Sequence, residues 1–134
     1  MKNQVIQPEG AFRFSVPLSH AVKAGNFVYT CGQCPVDIKT GEPIKGTIEE
    51  KARVTMENMK VVLEAAGASF DDVVKVIGFV TDLANVKIFN KIYSQYFKNG
   101  FPARSFVEVS RLADGVEFEV EAIAYIDKST KNEI

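Results

Sequence analysis

From Gly115 the chain reads G-V-E-F-E-V-E-A-I-A-Y-I, and this alternation constrains the fold more than any other stretch. Successive side chains on a strand point to opposite faces of its sheet. Val116, Phe118, Val120, Ala122 and Ala124 therefore share one apolar face, while Glu117, Glu119, Glu121, Ile123 and Tyr125 share the other. The first face requires helices packed over it. The second combines acids with large apolar groups, so it is neither a plain solvated surface nor a second core.

Two stretches supply the helices. Thr47 with Glu50 three places on forms a capping box, in which each side chain satisfies an unpaired backbone N–H. Ile48, Ala52, Thr55/Met56, Met59, Val62/Leu63 and Ala66 then recur at helical spacing until Gly67 stops the run. A second helix opens near Asn85 and carries Val86, Phe89, Ile92/Tyr93 and Tyr96/Phe97 as far as Asn99-Gly100. Residues 19–33 read as a hairpin turning at Gly25–Asn26, residues 72–82 as a middle strand, and R-S-F-V-E-V-S from Arg104 as another. Residues 35–46, rich in Pro, Gly and polar groups, read as a loop. The order ββ-α-β-α-ββ gives an α+β sandwich: one mixed β-sheet with two helices on one face.

The middle strand divides into Val73, Ile77 and Phe79 on one side and Val74, Val76 and Val80 on the other. The R-S-F-V-E-V-S strand is read with Ser105, Val107 and Val109 toward the core and Arg104, Phe106 and Glu108 opposite. The helix-free face is then too apolar to stay in water, and such patches mark interfaces. The chain is expected to oligomerise through this open sheet, with Arg104 and Glu119 on or beside the surface that becomes buried.

At 134 residues the chain is read as a single domain, 1–134, with residues ~1–10 and ~127–134 loosely ordered. A chain this long needs neither disulfide nor metal to fold. Its formal net charge of −1 and lack of a basic stripe exclude nucleic acid as the main partner. No apolar run reaches the ~20 residues of a membrane span and the start has no apolar signal core, so the expected location is the cytoplasm, away from membranes.

The two cysteines stand together in T-C-G-Q-C-P, residues 30–35. A redox Cys-x-x-Cys needs a helix N-terminus to lower the thiol pKa, and here a turn-rich loop follows instead. A zinc site needs two further ligands, and His20 is the only histidine. Two small semi-buried thiols at a strand end are the better reading, so no metal and no cofactor are expected.

T-C-G-Q-C-P-V-D-I-K-T-G-E, the N-M-K-V-V-L-E-A-A-G stretch, F-V-T-D-L, F-P-A-R-S-F-V-E-V and E-F-E-V-E-A-I-A together resemble the Rid (RidA/YjgF) family of reactive-intermediate deaminases, also described as endoribonuclease L-PSP. The likeness runs from about Pro17 to Ile126. It implies a chorismate-mutase-like α+β fold, a homotrimer whose sheets meet at its centre, and a ligand cleft at each subunit interface. It further implies that Arg104 grips a substrate carboxylate through its planar fork, against the alternative of a structural ion pair. Glu119 matches the family's water-positioning carboxylate, although a solvated glutamate in the 117/119/121 row is the alternative. Gly32 matches a backbone that approaches the ligand, Cys31 a site often occupied by Ser, and Asn90 a pocket residue or simply a polar helix surface. Leu18 stands where a pocket Tyr is usual and Phe106 where a Cys is frequent, changes that point to a different or more apolar substrate. His20, two places past Leu18, is read as adding polarity there or as making an ordinary hydrogen bond.

The activity this implies is cofactor-free hydrolysis of 2-imino acids or enamines, such as 2-iminobutanoate and 2-iminopropanoate, to 2-keto acids and ammonia. Arg104 and Glu119 are then the catalytic pair. A module that binds small carboxylates without turnover is the alternative, and an endoribonuclease is the third reading.

Overall fold

A computed structural model of the chain describes residues 2–128. Six strands form one sheet: β1 (Gln4–Ile6), β2 (Ala21–Ala24), β3 (Phe27–Thr30), β4 (Val73–Val80), β5 (Ala103–Glu108) and β6 (Phe118–Tyr125). Their spatial order is β1-β2-β3-β6-β4-β5, with every pair antiparallel except β4 and β5. Helices α1 (Ile48–Ala65) and α2 (Val86–Tyr93) cover one face, and a 3₁₀ turn, Ser94–Tyr96, extends α2 toward Phe97. No helix among the described residues is long and apolar enough to cross a membrane.

The local signals act as the sequence implies. Thr47 Oγ1 accepts from the Glu50 N–H at 3.1 Å, and Glu50 Oε1 accepts from the Thr47 N–H at 3.0 Å. Ala52, Met56, Met59, Val62 and Leu63 of α1 are buried against the sheet side occupied by Phe118, Val120, Ala122 and Ala124. Phe89, fully buried on α2, meets the Phe118 ring at 5.0 Å and the Phe106 ring at 5.2 Å.

Three features differ from the sequence reading. Gln4–Ile6 pair with β2, adding a strand within the N-terminal ten residues. The C-terminal expectation is not among these, because residues 129–134 of the loose tail lie outside the described residues. In β4 the register shifts between Val73 and Lys75. A bulge inserts one residue and so reverses facing on either side of it. Val73 thus joins Val76 and Val80 in the core, Val74 is exposed, and Ile77 and Phe79 face away from the helices.

The third difference moves a candidate residue. β5 runs parallel to β4 with Val76 opposite Arg104, Gly78 opposite Phe106 and Val80 opposite Glu108. Arg104, Phe106 and Glu108 therefore lie on the helix-covered face, while Ser105 and Val107 share the open face with Ile77 and Phe79. The Phe106 ring lies over Gly78, where a Cβ would come within 2.6 Å of it. Alternation alone misassigns this strand because Phe106 on one side balances Val107 on the other. Only pairing with β4 decides.

The open face remains apolar as expected. Phe27, Tyr29, Val107 and Tyr125 are each at least 39% exposed, and Phe27 meets the Tyr125 ring at 5.0 Å.

Candidate functional site

The candidate residues fall into two groups on opposite faces. On the open face, Glu119 of β6 borders a groove of about 640 Å³ together with Leu18, Cys31, Gly32 and Cys34. β3 ends at Thr30, whose Oγ1 accepts from the Ala122 N–H at 3.0 Å, and pairing with β6 resumes as a bridge between Gln33 and Val120. Cys31 and Gly32 occupy the break between these contacts. Gly32 runs so close to Glu119 that a Cβ there would lie 2.4 Å from its Cγ and 2.7 Å from Oε2. Only glycine leaves the carboxylate where it is. The variant Gly32→Ala is expected to fold, because the flexible Glu119 side chain can swing aside. It should lose about 10–100-fold in kcat for any reaction that Glu119 serves, as misplacing a reacting group by an ångström does.

Cys34 Sγ donates to Glu119 Oε1 at 3.6 Å. Burial, followed by the Glu119 carboxylate, raises the Cys31 thiol from 9.0 to about 11, and the same two causes push Cys34 higher still. Both are protonated thiols near neutral pH, the reverse of what an attacking redox cysteine requires. Because the native state holds these protons more tightly than the unfolded chain, their effect on stability is absent below about pH 9 and becomes a loss as pH rises toward 11. Unfolding free energy is expected to fall over that window in the wild type and less so in Cys31→Ser/Cys34→Ser. Iodoacetamide should label the native thiols far more slowly than a free peptide cysteine at pH 8.

Sequence reasoning missed the residue that holds this segment in place. Asn58, buried on α1, donates from Nδ2 to the carbonyls of Cys34 at 3.0 Å and Val36 at 2.8 Å. A polar residue on the buried stripe of an apolar helix was the available signal.

The second group lies on the helix side at the sheet edge. Arg104 Nη2 donates to Asn90 Oδ1 at 2.7 Å. The guanidinium carbon sits 4.7 Å from the Tyr93 ring centroid and 5.0 Å from that of Phe106. Phe106 is thus the floor beneath Arg104. Asn90, Tyr93, Ser94, Phe101, Pro102 and Arg104 line a shallow pocket of about 290 Å³. Among the described residues Arg104 forms no salt bridge; the one present joins Lys51 to Glu117 at 2.6 Å. Tyr93 hides a further polar group: its hydroxyl is buried beside Arg104 and meets no partner at full hydrogen-bond geometry among the described residues. Burial raises this phenol to about 12 despite the opposing pull of Arg104, so it is a neutral hydroxyl.

Within one chain, then, a helix-side guanidinium on an aromatic bed and an open-face carboxylate lie on opposite faces of the sheet, on strands with β4 between them. Leu18, Cys31, Gly32 and Glu119 come together, as do Asn90, Phe106 and Arg104. The two sets do not meet.

This arrangement of sheet and helices has relatives. Residues 9–126 match the family model for Endoribonuclease L-PSP, and the chain belongs to that family, the Rid/YjgF proteins. A RutC family protein of Pyrococcus horikoshii is 48% identical over 122 residues, covering 91% of this chain and 97% of the relative. A Thermotoga maritima structure, described as a candidate endoribonuclease, superposes with a TM-score of 0.89 at 45% identity, over 95% of this chain and 99% of that one. TdcF of Escherichia coli, described as a candidate reactive intermediate deaminase, is 40% identical over 111 residues, covering 81% of this chain and 85% of TdcF. Its structure with bound serine superposes with a TM-score of 0.86 over 92% and 99% of the two chains.

Proposed function

We propose that this chain hydrolyses 2-imino acids to 2-keto acids and ammonia, in a homotrimer where Arg104 of one copy faces Glu119 of the next. The observation that carries the reading is Arg104. It is half-buried, has no carboxylate partner among the described residues, and Asn90 takes only one of its five N–H donors. A planar carboxylate completes it. The open face supports the assembly, because its exposed aromatics need a cover that the described residues do not supply. The relative TdcF supports the ligand class, since the molecule bound in its structure is an amino acid.

In this reading Arg104 holds the substrate carboxylate through two parallel N–H bonds and thereby orients the imine carbon. Glu119 accepts a proton from a water molecule as its oxygen attacks that carbon. The carbinolamine nitrogen receives that proton, Glu119 takes the hydroxyl proton as the C–N bond breaks and the C=O bond forms, and ammonia and a 2-keto acid leave. Orientation and one proton relay suffice for so reactive a substrate.

The test generates 2-iminobutanoate from threonine with a dehydratase and traps it with semicarbazide. Added protein should lower the trapped amount, and Glu119→Gln should lose about 10²–10⁴-fold of that effect, the usual worth of a general base. Unchanged trapping with wild-type protein discards the deaminase. A second reading, carboxylate binding without turnover, draws on Leu18, which removes the phenol usual in the resemblance. It predicts that 2-oxobutanoate binds while trapping is unaffected. The family's ribonuclease description predicts RNA cleavage, against the net charge of −1.

A further inference from the structure

The mechanism leaves both cysteines unused, and the structure does not treat them alike. Cys31 Sγ donates to the adjacent Gly32 carbonyl at 3.6 Å and accepts from Gln33 Nε2 at 3.4 Å, so its bonds stay within its own segment. Cys34 instead reaches a residue 85 positions away, donating to Glu119 Oε1 at 3.6 Å. Among the described residues this is the one hydrogen bond that the Glu119 carboxylate receives, and no salt bridge reaches it.

The backbone that carries Cys34 is tied on both sides. Gln33 and Val120, the chain neighbours of Cys34 and Glu119, exchange N–H···O bonds of 2.7 and 2.9 Å. The Cys34 carbonyl in turn accepts from the buried Asn58 of α1 at 3.0 Å and from the Val36 N–H at 2.8 Å. The thiol is thus delivered to Oε1 by a segment locked to both β6 and α1. Oε2 lies toward Gly32, where the absent Cβ, which would stand 2.7 Å from it, leaves room. The two oxygens of one carboxylate therefore have different neighbours, a thiol at Oε1 and bare glycine backbone at Oε2.

We propose that Cys34 is a positioning residue for Glu119: its S–H occupies Oε1, fixes the carboxylate and leaves Oε2 to take the proton of the attacking water. The proposal rests on the imine-hydrolysis reading. A glutamate side chain otherwise turns about its own single bonds, and misplacing a reacting group costs rate. A thiol suits the task because it is a weak donor, orienting the carboxylate while withdrawing less of its basicity than an ammonium or guanidinium would. Burial and the Glu119 carboxylate itself hold the thiol in its protonated, donating form. Cys34 keeps that proton throughout, so the role needs neither a thiolate nor a disulfide with Cys31.

In the trapping assay with 2-iminobutanoate, Cys34→Ala should lower kcat about tenfold with KM little changed, the pattern left when a bond to a charged group serves only the transition state. Cys34→Val fills the space without a donor and should lose as much. Cys34→Ser restores a donor that the flexible Glu119 can meet, and should recover most of the loss. Raman spectroscopy gives a readout without turnover. The Cys34 S–H stretch, isolated by subtracting the matching Cys34→Ala spectrum, should lie at lower frequency in wild type than in Glu119→Ala, because donation weakens the S–H bond. Wild-type kcat in Cys34→Val reduces the residue to packing and overturns the proposal. Equal losses in all three variants overturn it too, as does an S–H stretch that ignores Glu119→Ala. Wild-type protein that leaves the trapped imine unchanged removes the hydrolysis reading and the kinetic role with it, while a Raman shift in the same sample upholds the bond between Cys34 and Glu119.

Discussion

Arg104→Ala is expected to lower kcat/KM for imine hydrolysis by about 10²–10⁴-fold while leaving the fold in place. Two charge-assisted hydrogen bonds to a carboxylate contribute about 1.5–3 kcal/mol each, and about 1.4 kcal/mol is a factor of ten. The fold should survive because the side chain serves it little. Arg104 lies at the sheet edge, makes no salt bridge among the described residues, and gives one hydrogen bond to an exposed Asn90. Arg104→Lys is the sharper variant. It retains the charge but loses the planar fork, so it should sit about 10–100-fold below wild type, the worth of one such bond. Thermal unfolding beside steady-state kinetics separates the two effects. A variant that melts early, or one that hydrolyses imines at the wild-type rate, refutes this account of Arg104.

Phe89→Ala carries the largest expected loss of stability, about 3–5 kcal/mol. Phe89 is fully buried, and its ring touches Tyr93 at 5.8 Å, Phe106 at 5.2 Å and Phe118 at 5.0 Å. These neighbours come from α2, β5 and β6, so the cavity cannot close by moving one of them alone. Domains have only about 5–15 kcal/mol in total, which makes this a large fraction. A denaturant titration should show the midpoint shift with its slope unchanged. Carboxylate binding should weaken as well, since Tyr93 and Phe106 form the bed beneath Arg104 and both lean on Phe89. A loss below about 1 kcal/mol would mean that the aromatic cluster repacks, against the close packing expected of a core.

The site was only partly legible in advance. Resemblance selected Arg104, Asn90, Glu119, Gly32, Cys31, Leu18 and Phe106 as individuals, and nothing in a linear pattern says which of them stand together. Asn58 attracted no attention, because an asparagine in a helix has an ordinary local explanation. Its role depends on a contact between segments 24 residues apart, its bond to the Cys34 carbonyl.

By itself the sequence determined what depends on near neighbours. The Thr47–Glu50 box starts α1, the Gly25–Asn26 turn joins β2 to β3, and the alternation from Val116 to Tyr125 assigns β6 its two faces. Tertiary structure alone decided the face of Arg104 and the parity of β4. The reason is that a strand with apolar residues on both sides carries no internal mark of which side is core. Hydrogen-bonded register with its neighbour supplies that mark, and a single bulged residue at Val74 is enough to reverse it.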